Sequence, residues 1–427
     1  MVVYDPIKFK IGLAAALCSK ARTFNKGVVL EVMKITSNTY ASSTTYQDEE
    51  FILLDIYPKS GGTVSVTYGG LTKTITDTSG AEDPNAQQVF FGTFNGVSDS
   101  VITPESGILR INGDYKSFAV STFNIADKDT ATCGCITGVV EFGDLTKIAD
   151  RTFYECAGLT SINIPTSITS IGEYAFYGCT GLPSIYIPAS ITSISICAFK
   201  ACEQLKITVS EENKLYSSEA GALFDRDKTV IYAYPSVNGS YIIPDSVLSI
   251  EEYAFCGCIA LSSVSIPDNI ISIGAHAFDG CTALTYANIP NSLTNIGEYA
   301  FYDCTALANI SIPSSITNIE AYTFYNCDTL SSINIPTSVT NIGDRAFYDC
   351  DALTYISIPS GVSSIGTYAI CACGALAGVA FENTSGWYVT KTENGDISTG
   401  TTVDVTNVEN NVVLLNETYE NYYWYRT

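Results

Sequence analysis

Basic residues are scarce in this chain, and their scarcity excludes one large class of partners. Lys and Arg number 21 against 44 Asp and Glu, which gives the 427-residue chain a formal net charge of −23. A surface of this sign repels phosphate backbones. The sequence therefore predicts no nucleic-acid partner.

Long apolar runs are also missing. No stretch of about 18 apolar residues occurs, so the sequence predicts no membrane-spanning helix. The first residues, MVVYDPIKFKIGLAAALCSKA, match a signal peptide only in part, because the apolar stretch is short and Asp5 and Pro6 weaken the basic segment. We expect residues 1–24 to stay on the chain as an N-terminal arm or helix.

Residues for catalysis are few as well. His276 is the only histidine, so a Ser-His-Asp triad would have to be built around it. No phosphate-binding glycine-rich loop or nucleotide fingerprint is present. Carboxylates pair at Asp225 and Asp227 and at Glu251 and Glu252, but a glycosidase needs two carboxyl groups across a cleft. The sequence predicts a non-enzymatic protein without a cofactor.

The chain is rich instead in regularly spaced cysteines, most of them 23 residues apart. A fixed period of this length is the signature of stacked repeats. The repeated pattern is C-x-x-L-x-x-I-x-I-P-x-x-I-x-x-I-G-x-x-A-F-Y-x. One such turn buries very little apolar surface, so the turns must stack into a continuous core. The cysteines of this series are Cys133, Cys156, Cys179, Cys202, Cys258, Cys281, Cys304, Cys327, Cys350 and Cys373.

The residues of this pattern identify a family. The run C-x-x-L-x-x-I-x-I-P followed by A-F-Y-x-C resembles the BspA-like (Treponema-type) leucine-rich repeats over about residues 133–380. Between Cys202 and Cys258, the segment NKLYSSEAGALFDRDKTVIYAYP is similar to a hairpin insertion that this family often carries, here at about 211–234. The resemblance implies surface adhesion and protein binding, which is an analogy of fold.

We expect the ten periodic cysteines to form a structural ladder of buried thiols. Parallel turns stack about 4.8 Å apart, which leaves neighbouring Cβ atoms slightly too far apart for easy disulfide formation. Each thiol can pack as a small apolar group and hydrogen-bond the turn, which favours synthesis in a reducing cytosol. The C-x-C pairs lie several turns apart and cannot converge, so we predict no metal site.

The remaining segments complete a mainly β fold. Short β-type runs separated by turns predict an antiparallel β-sandwich-like attachment domain over residues 25–130. These runs are VVLEVMKIT, FILLDIYP, GTVSVTYGGLTKTIT, QQVFFGTF and the pair GILRI and KSFAVSTF around Asn112-Gly113. A right-handed leucine-rich-repeat solenoid of 23-residue turns follows over 131–380. We expect residues 381–427 to form a C-terminal cap, in which the last open turn is covered by Trp387, Tyr419, Tyr422, Tyr423, Trp424 and Tyr425. The alternative is that these aromatic residues bind a ligand.

Two outward columns of side chains form what we call the sheet face. The first column is Ser161, Ser184, Ser263, Tyr286, Asn309, Ser332 and Tyr355, and the second is Asn163, Tyr186, Ser265, Asn288, Ser311, Asn334 and Ser357. Tyr with Ser and Asn is the mixture that adaptable binding loops use, although a plain solvated β-surface also carries Ser and Asn columns. The candidate binding residues are Tyr186, Tyr286, Tyr355, Asn163, Asn288, Asn309 and Asn334.

A third column, the aromatic stripe, precedes the Ala-Phe step of each turn. It consists of Arg151, Tyr174, Cys197, Tyr253, His276, Tyr299, Tyr322, Arg345 and Tyr368. Rings repeating at one turn's spacing can stack on each other and shield the apolar layer beneath. The alternative is that they stack on the sugars of a glycan.

We therefore hypothesise a recognition or adhesion protein. Its N-terminal domain docks on a larger assembly or self-associates, and its solenoid binds a protein or glycan ligand on a cell or mucosal surface. The weak export signal and the many thiols fit a phage virion protein made in the host cytosol, so the leading hypothesis places the chain on a virion surface. The alternatives are a secreted or cell-surface bacterial adhesin and an intracellular scaffold.

Overall fold

The N-terminal part of the molecule consists of short β-strands. The computed structural model describes eight strands and Gly62 before residue 145, and then residues 145–427 apart from 196, 203, 235–238 and 394–396. The strands are β1 (Phe51–Pro58), β2 (Thr63–Tyr68), β3 (Leu71–Thr76), β4 (Gln87–Phe94), β5 (Val97–Ser98), β6 (Ile108–Gly113), β7 (Tyr115–Val120) and β8 (Gly138–Glu141). The expected arm, the run VVLEVMKIT and Cys133 lie outside the described residues.

These strands belong to two sheets. One is antiparallel throughout, in the order β5-β4-β1-β7, and the other contains β3-β2-β6-β8, in which β6 and β8 are parallel. The two runs around Asn112-Gly113 fall in different sheets, because β6 pairs with β2 whereas β7 pairs with β1. In the register of these pairs, Ile111 of β6 is opposite the buried Val66 of β2, and Phe118 of β7 is opposite the buried Ile56 of β1.

The second sheet continues directly into the solenoid. Strand β8 pairs in parallel with β6 on one side and with β10 (Ser161–Ile162) on the other. Ile56, Val64 and Val66 share one apolar core with the first turns of the solenoid. The N-terminal sheets therefore close the first turns and pack directly against them.

Two ladders of very short strands run along the solenoid, and neighbouring turns pair in parallel between residues 23 apart, such as Ser170 and Ser193. The sheet-face ladder contains β10, β12 (Ser184–Ile187), β14 (Lys206–Val209), β18 (Ser240–Ile242), β20 (Ser263–Ser265), β22 (Tyr286–Ala287), β26 (Tyr355–Ile358) and β28 (Gly378–Phe381). The second ladder contains β9 (Lys147–Ile148), β11 (Ser170–Ile171), β13 (Ser193–Ile194), β17 (Val230–Ala233), β19 (Ser249–Ile250), β21 (Ser272–Ile273), β23 (Asn295–Ile296), β24 (Asn318–Ile319), β25 (Asn341–Ile342) and β27 (Ser364–Ile365). The mainly β fold and a solenoid of about ten 23-residue turns are confirmed.

Apolar side chains of equivalent positions stack inside the turns. The Phe rings of adjacent turns lie 4.9 to 5.7 Å apart between centroids, and Phe278, Phe301 and Phe347 are fully buried. The Leu and Ile positions of the repeat pattern line the same interior. Burial of these side chains removes from water the apolar surface that a single turn could not cover.

The insertion lies within the stack of turns. Strands β15 (Tyr216–Glu219) and β16 (Ala222–Asp225) form an antiparallel hairpin, and β17 joins β16 to the second ladder. Three consecutive residues of β16 are buried, with Leu223 in the core of the earlier turns and Phe224 in that of the later turns. The hairpin therefore forms a layer that separates two apolar cores.

The C-terminal segment closes the last turn. It contains β29 (Trp387–Thr390), a 3₁₀ turn (Ile397–Thr399), β30 (Thr401–Thr402), α1 (Val408–Val413), a π-helical turn (Leu414–Thr418) and β31 (Tyr423–Arg426). Strand β31 pairs antiparallel with β27 and β29. Trp387 and Trp424 are buried in the core of the later turns, which they cover from the end.

Candidate functional site

Three tyrosines are the large aromatic side chains of the sheet-face columns, and all three are open to solvent. Tyr186, Tyr286 and Tyr355 are 52%, 55% and 50% exposed, so each ring has about half its surface free for a partner. Each lies at an exposed position of a sheet-face strand, so the three project from the same flank of the solenoid. The insertion does not cover them.

Most of the candidate asparagines are exposed beside these rings. Asn163, Asn309 and Asn334 are exposed, and Asn309 forms a parallel bridge with Tyr286 in the preceding turn. These amides offer both donors and acceptors next to an aromatic surface. Tyr286 and Asn309 are therefore side by side on the sheet face.

Asn288 is a correction to the predicted set. Its Nδ2 donates to the Ile266 carbonyl and its Oδ1 accepts from the Ile266 N–H, both at 2.9 Å. Strand β22 ends at Ala287, so these two side-chain hydrogen bonds take the place of the backbone pairing between the turns at this point. Asn288 thus holds two turns together, and one N–H and one lone pair of its amide are left for a ligand.

Sequence reasoning missed four sheet-face positions at the insertion. Strands β14 and β18 add Lys206 and Ser240 to the first column and Thr208 and Ile242 to the second, as their pairing with β12 and β20 shows. Ile242 is 76% exposed. The 23-residue spacing of the cysteines is interrupted here. The sequence could have revealed these positions through the proline of the I-x-I-P step, which recurs at Pro244.

The rings of the aromatic stripe stack directly on one another. Centroids of Tyr253, His276, Tyr299 and Tyr322 follow each other at 4.5, 4.4 and 4.4 Å, with interplanar angles of 11° or less. The Lys200 Nζ lies 4.7 Å from the Tyr253 centroid at one end. At the other end the Arg345 guanidinium lies between the rings of Tyr322 and Tyr368, at 5.4 and 4.7 Å.

This stacking uses the ring faces that a sugar would need. His276, Tyr299 and Tyr322 each have a ring or a guanidinium group against both faces. The geometry thus favours the shielding role over sugar stacking. Burial raises the pKa of Tyr253 and Tyr299 to about 12, so both rings carry their protons at neutral pH.

His276 has a partner within the same turn. Its Nδ1 lies 2.8 Å from Oδ2 of Asp279. The imidazole is thus held between two aromatic rings and one carboxylate. Among the described residues, no serine side chain hydrogen-bonds to His276 or Asp279. The contact with Asp279 positions the imidazole ring within the stripe.

A second aromatic column, one that sequence reasoning did not single out, runs beside the stripe. Tyr154 stacks on Tyr177 at 4.7 Å, and Tyr302, Tyr325 and Tyr348 stack in turn at 4.8 and 4.9 Å. Its signal in the sequence is the Tyr of the A-F-Y step. Together the two columns cover this flank of the solenoid with stacked rings, which leaves the sheet face as the surface with isolated aromatic side chains.

The periodic cysteines line the interior as free thiols. All of those described are buried, and from Cys179 to Cys373 each Sγ donates to a backbone carbonyl of the preceding turn at 2.9 to 3.3 Å. Burial raises the pKa of Cys202 and Cys373 from 9.0 to about 12. These thiols are protonated at neutral pH and serve packing.

Other kinds of site are not found in the part of the chain that the structure describes. There, no three His, Cys, Asp or Glu side chains are arranged to hold a metal ion. Among the same residues, no helix has the length and apolar character needed to cross a membrane.

Comparison with known proteins identifies the family. The model of the BspA type leucine rich repeat region matches in six copies, over residues 125–237, 232–351 and 271–389. These matches cover more than half of the chain, which therefore belongs to the BspA-type leucine-rich repeat family. None of the curated proteins compared with the chain matches it.

Several solved structures are similar. A leucine-rich repeat protein from Eubacterium ventriosum is 26% identical, over 69% of this chain and 96% of that one, with a TM-score of 0.47. A leucine rich cell surface protein from Faecalibacterium prausnitzii is 29% identical, over 59% and 66%, with a TM-score of 0.42. A leucine-rich repeat protein from Bacteroides ovatus is 27% identical, over 58% and 67%, with a TM-score of 0.38.

Proposed function

We propose that the chain is a non-enzymatic recognition protein that binds its partner through the sheet face. The observation that carries this proposal is the presence of three half-exposed tyrosines among the Ser and Asn residues of the sheet face. Tyr gives a large contact area at low entropic cost, and Ser and Asn adapt their hydrogen bonds to the partner. On the flank that carries the aromatic stripe, the ring faces are already covered by neighbouring rings.

The spacing of the tyrosines favours an extended partner. Tyr286 and Tyr355 are three turns apart in one column, which corresponds to about 14 Å at the strand spacing of a β-sheet. Tyr355 lies against Gly378, where an added Cβ would be 3.1 Å from the ring. A ring supported in this way loses little freedom on binding. We infer that a glycoprotein on a cell or mucosal surface fits this face, with affinity built from repeated weak contacts.

The setting of the protein remains our prediction. The free thiols support synthesis in a reducing cytosol. That supports a virion-surface protein whose N-terminal domain docks on the particle or self-associates. A secreted or cell-surface adhesin is the alternative for the same sheet face.

An array of glycans and mucosal glycoproteins tests the proposal. The full chain is compared with a triple variant, Tyr186→Ala with Tyr286→Ala and Tyr355→Ala, and with a control triple on the opposite ladder, Thr192→Ala with Thr294→Ala and Thr317→Ala, whose residues are also exposed. We expect at least a tenfold loss for the tyrosine triple, because aromatic anchors dominate such interfaces, and less than a twofold change for the control.

The pattern of signals separates the ligand classes. Binding to free glycans and glycoproteins alike identifies a sugar ligand, and binding to glycoproteins before and after deglycosylation identifies a protein ligand. Equal binding by the wild type and the tyrosine triple, or no signal on any spot, would contradict the proposal.

A further inference from the structure

A regular set of hydrogen bonds joins successive turns at the aromatic stripe. In the turns that begin at Arg151, Tyr253, His276, Tyr299, Tyr322 and Arg345, three alternate N–H groups donate to carbonyls of the next turn, beginning at the stripe residue. In one example, Tyr299 donates to Ala321, Phe301 to Thr323 and Asp303 to Tyr325, at 2.8 to 3.1 Å. These corner bonds satisfy backbone donors that the solenoid would otherwise bury unpaired.

All three corner bonds are missing together in the turn that precedes the insertion. Within the described part of the chain, the N–H groups of Cys197, Phe199 and Ala201 have no acceptor. The carbonyl that Phe199 would use, that of Ala254, accepts from the Tyr234 N–H at 2.7 Å instead. The hairpin brings Tyr234 into this position, so three donors of one turn are orphaned together.

The last turn shows that such donors are met where the chain supplies a partner. There the Tyr368 N–H donates to the Glu420 carbonyl, and the Ala372 N–H donates to Asn416 Oδ1 at 2.7 Å. Both acceptors come from the C-terminal cap. The seam at Cys197 has no such partner among the described residues. Of its three residues Phe199 is buried, and Cys197 and Ala201 are half-exposed. A donor left unpaired in a buried place costs about 1–3 kcal/mol.

A cavity of about 140 Å³ lies at this seam, lined by all three residues with orphaned N–H groups. Its apolar wall includes Leu223, Tyr234 and Ala254, all buried. A cavity of this size accommodates a molecule about as large as benzene. It therefore has room for a small ligand that carries hydrogen-bond acceptors.

Charged groups of both signs complete the lining. Lys200 is half-buried, with its ammonium group over the Tyr253 ring, and Glu251 and Glu252 lie on the other turn. Burial disfavours the charged form of Lys200, but Cys256, Asp279 and Tyr177 outweigh it and the net effect raises its pKa, so it is charged at neutral pH. A simple carboxylate would meet two glutamates, and a simple amine would meet Lys200 and leave the N–H groups unpaired.

We propose that the seam cavity binds a small α-amino acid. Its carboxylate accepts from the Cys197 and Phe199 N–H groups and lies near Lys200, and its α-ammonium group pairs with Glu251 and Glu252. A small apolar side chain packs against Leu223 and Ala254. The bound molecule bridges the two turns at the insertion and so joins the two apolar cores of the solenoid.

Calorimetric titration and thermal unfolding of the full chain test this site with three matched probes. L-valine carries both charges, isobutyrate lacks the ammonium group and isobutylamine lacks the carboxylate. We expect valine to bind and to raise the unfolding temperature, and the other two to bind at least tenfold more weakly. Glycine, alanine, leucine and phenylalanine measure how large a side chain the cavity takes.

Variants locate the binding in the cavity. Glu252→Gln and Lys200→Met should each weaken valine binding at least tenfold. The control Glu298→Gln, at the equivalent position two turns later and exposed, should leave it unchanged. Ala233→Leu should fill the cavity, abolish binding and raise the unfolding temperature without ligand.

Two results would overturn the proposal. One is the absence of binding at millimolar concentration by every amino acid of the series. The other is binding that Glu252→Gln and Ala233→Leu leave intact. Glu252 is half-buried and its replacement keeps the side-chain shape, so the first of these variants is suited to remain folded.

Discussion

The aromatic stripe combines bulky side chains with a backbone conformation usually left to glycine. All nine stripe residues have positive φ, between 51° and 64°. For a residue with a Cβ this conformation costs roughly 1–2 kcal/mol. Tyr299 shows what offsets the cost, because its N–H donates to the next turn at 3.1 Å and both faces of its ring are stacked at 4.4 Å. In this left-handed conformation the N–H of the stripe residue points toward the next turn, where it donates to a backbone carbonyl.

Alkaline pH should destabilise the protein through these rings and the buried thiols. The folded-state pKa of Tyr253 and Tyr299 is about 12 instead of 10.0, and that of Cys202 and Cys373 about 12 instead of 9.0. Because the unfolded chain loses these protons first, the stability they contribute is complete below pH 9 and declines from there to pH 12.

Circular dichroism melts from pH 7.5 to 11.5 in reducing buffer measure this decline, with absorbance at 295 nm reporting tyrosinate. We expect a falling unfolding temperature above pH 9 and a tyrosine titration delayed beyond pH 10 for the stacked rings. Full ionisation of all tyrosines near pH 10 in the folded protein would contradict the burial described.

At the scale of the single turn, close backbone contact sets the stacking distance. A Cβ added to Gly297 would lie 2.5 Å from the backbone nitrogen of Ala275 in the preceding turn. A Cβ added to Gly274 or Gly343 would lie equally close, at 2.5 Å, to a backbone nitrogen of the turn before it. This accounts for the I-G step of the repeat. The glycine is required by approach between turns, since none of these three has positive φ.

Gly297→Ala should therefore open the stack locally and lower the unfolding temperature by several degrees. The matched control is Gly374→Ala, where the nearest atom is the Asp351 Oδ1 of a side chain at 3.0 Å, which can move. Differential scanning calorimetry of both variants measures the effect. A smaller loss for Gly297→Ala than for Gly374→Ala would show that turn spacing is not limited by this contact.

The whole molecule contains two apolar cores separated by the insertion. The first comprises the N-terminal sheets and the earlier turns, and the second comprises the later turns and the cap. Repeat proteins unfold in units set by the coupling between neighbouring repeats. Between them lies a layer contributed by a hairpin, with a cavity beside it, and we expect the weakest coupling along the solenoid there.

We therefore expect two unfolding transitions in urea. The chain has two tryptophans, Trp387 and Trp424, and both lie in the later core, so their fluorescence reports that core while far-UV circular dichroism reports both. Ile56→Ala, at a cost of about 2–5 kcal/mol, should shift the dichroism curve and leave the fluorescence midpoint in place. Phe347→Ala, at about 3–5 kcal/mol, should shift the fluorescence midpoint. Coincident curves that move together in both variants would show a single cooperative unit.

The solenoid was predictable because its signal is repeated many times. Cys281, Cys304 and Cys327 specify buried positions 23 residues apart, and no single substitution hides that period. The seam between the Cys197 turn and the insertion was not predictable. There the Ala-Phe step of the repeat becomes Ala233-Tyr234, and the sequence does not reveal that the N–H groups of the Cys197 turn lose their acceptors. Asn288 was misassigned for a similar reason, because outward alternation does not reveal that both ends of its amide bind Ile266. The pairing of β8 with β6 joins residues distant in sequence and leaves no periodic signal.

One pair of substitutions in a single turn tests most directly whether the sheet face is the binding surface. Ser311 on the sheet face and Thr317 on the second ladder are both exposed and lie in the same turn, so arginine at either position adds the same bulk and charge to the same solenoid. Binding to an immobilised mucosal glycoprotein is measured by surface plasmon resonance for Ser311→Arg and Thr317→Arg. The account predicts at least a tenfold weaker affinity for Ser311→Arg and less than a twofold change for Thr317→Arg. Equal losses, or a larger loss for Thr317→Arg, would contradict it.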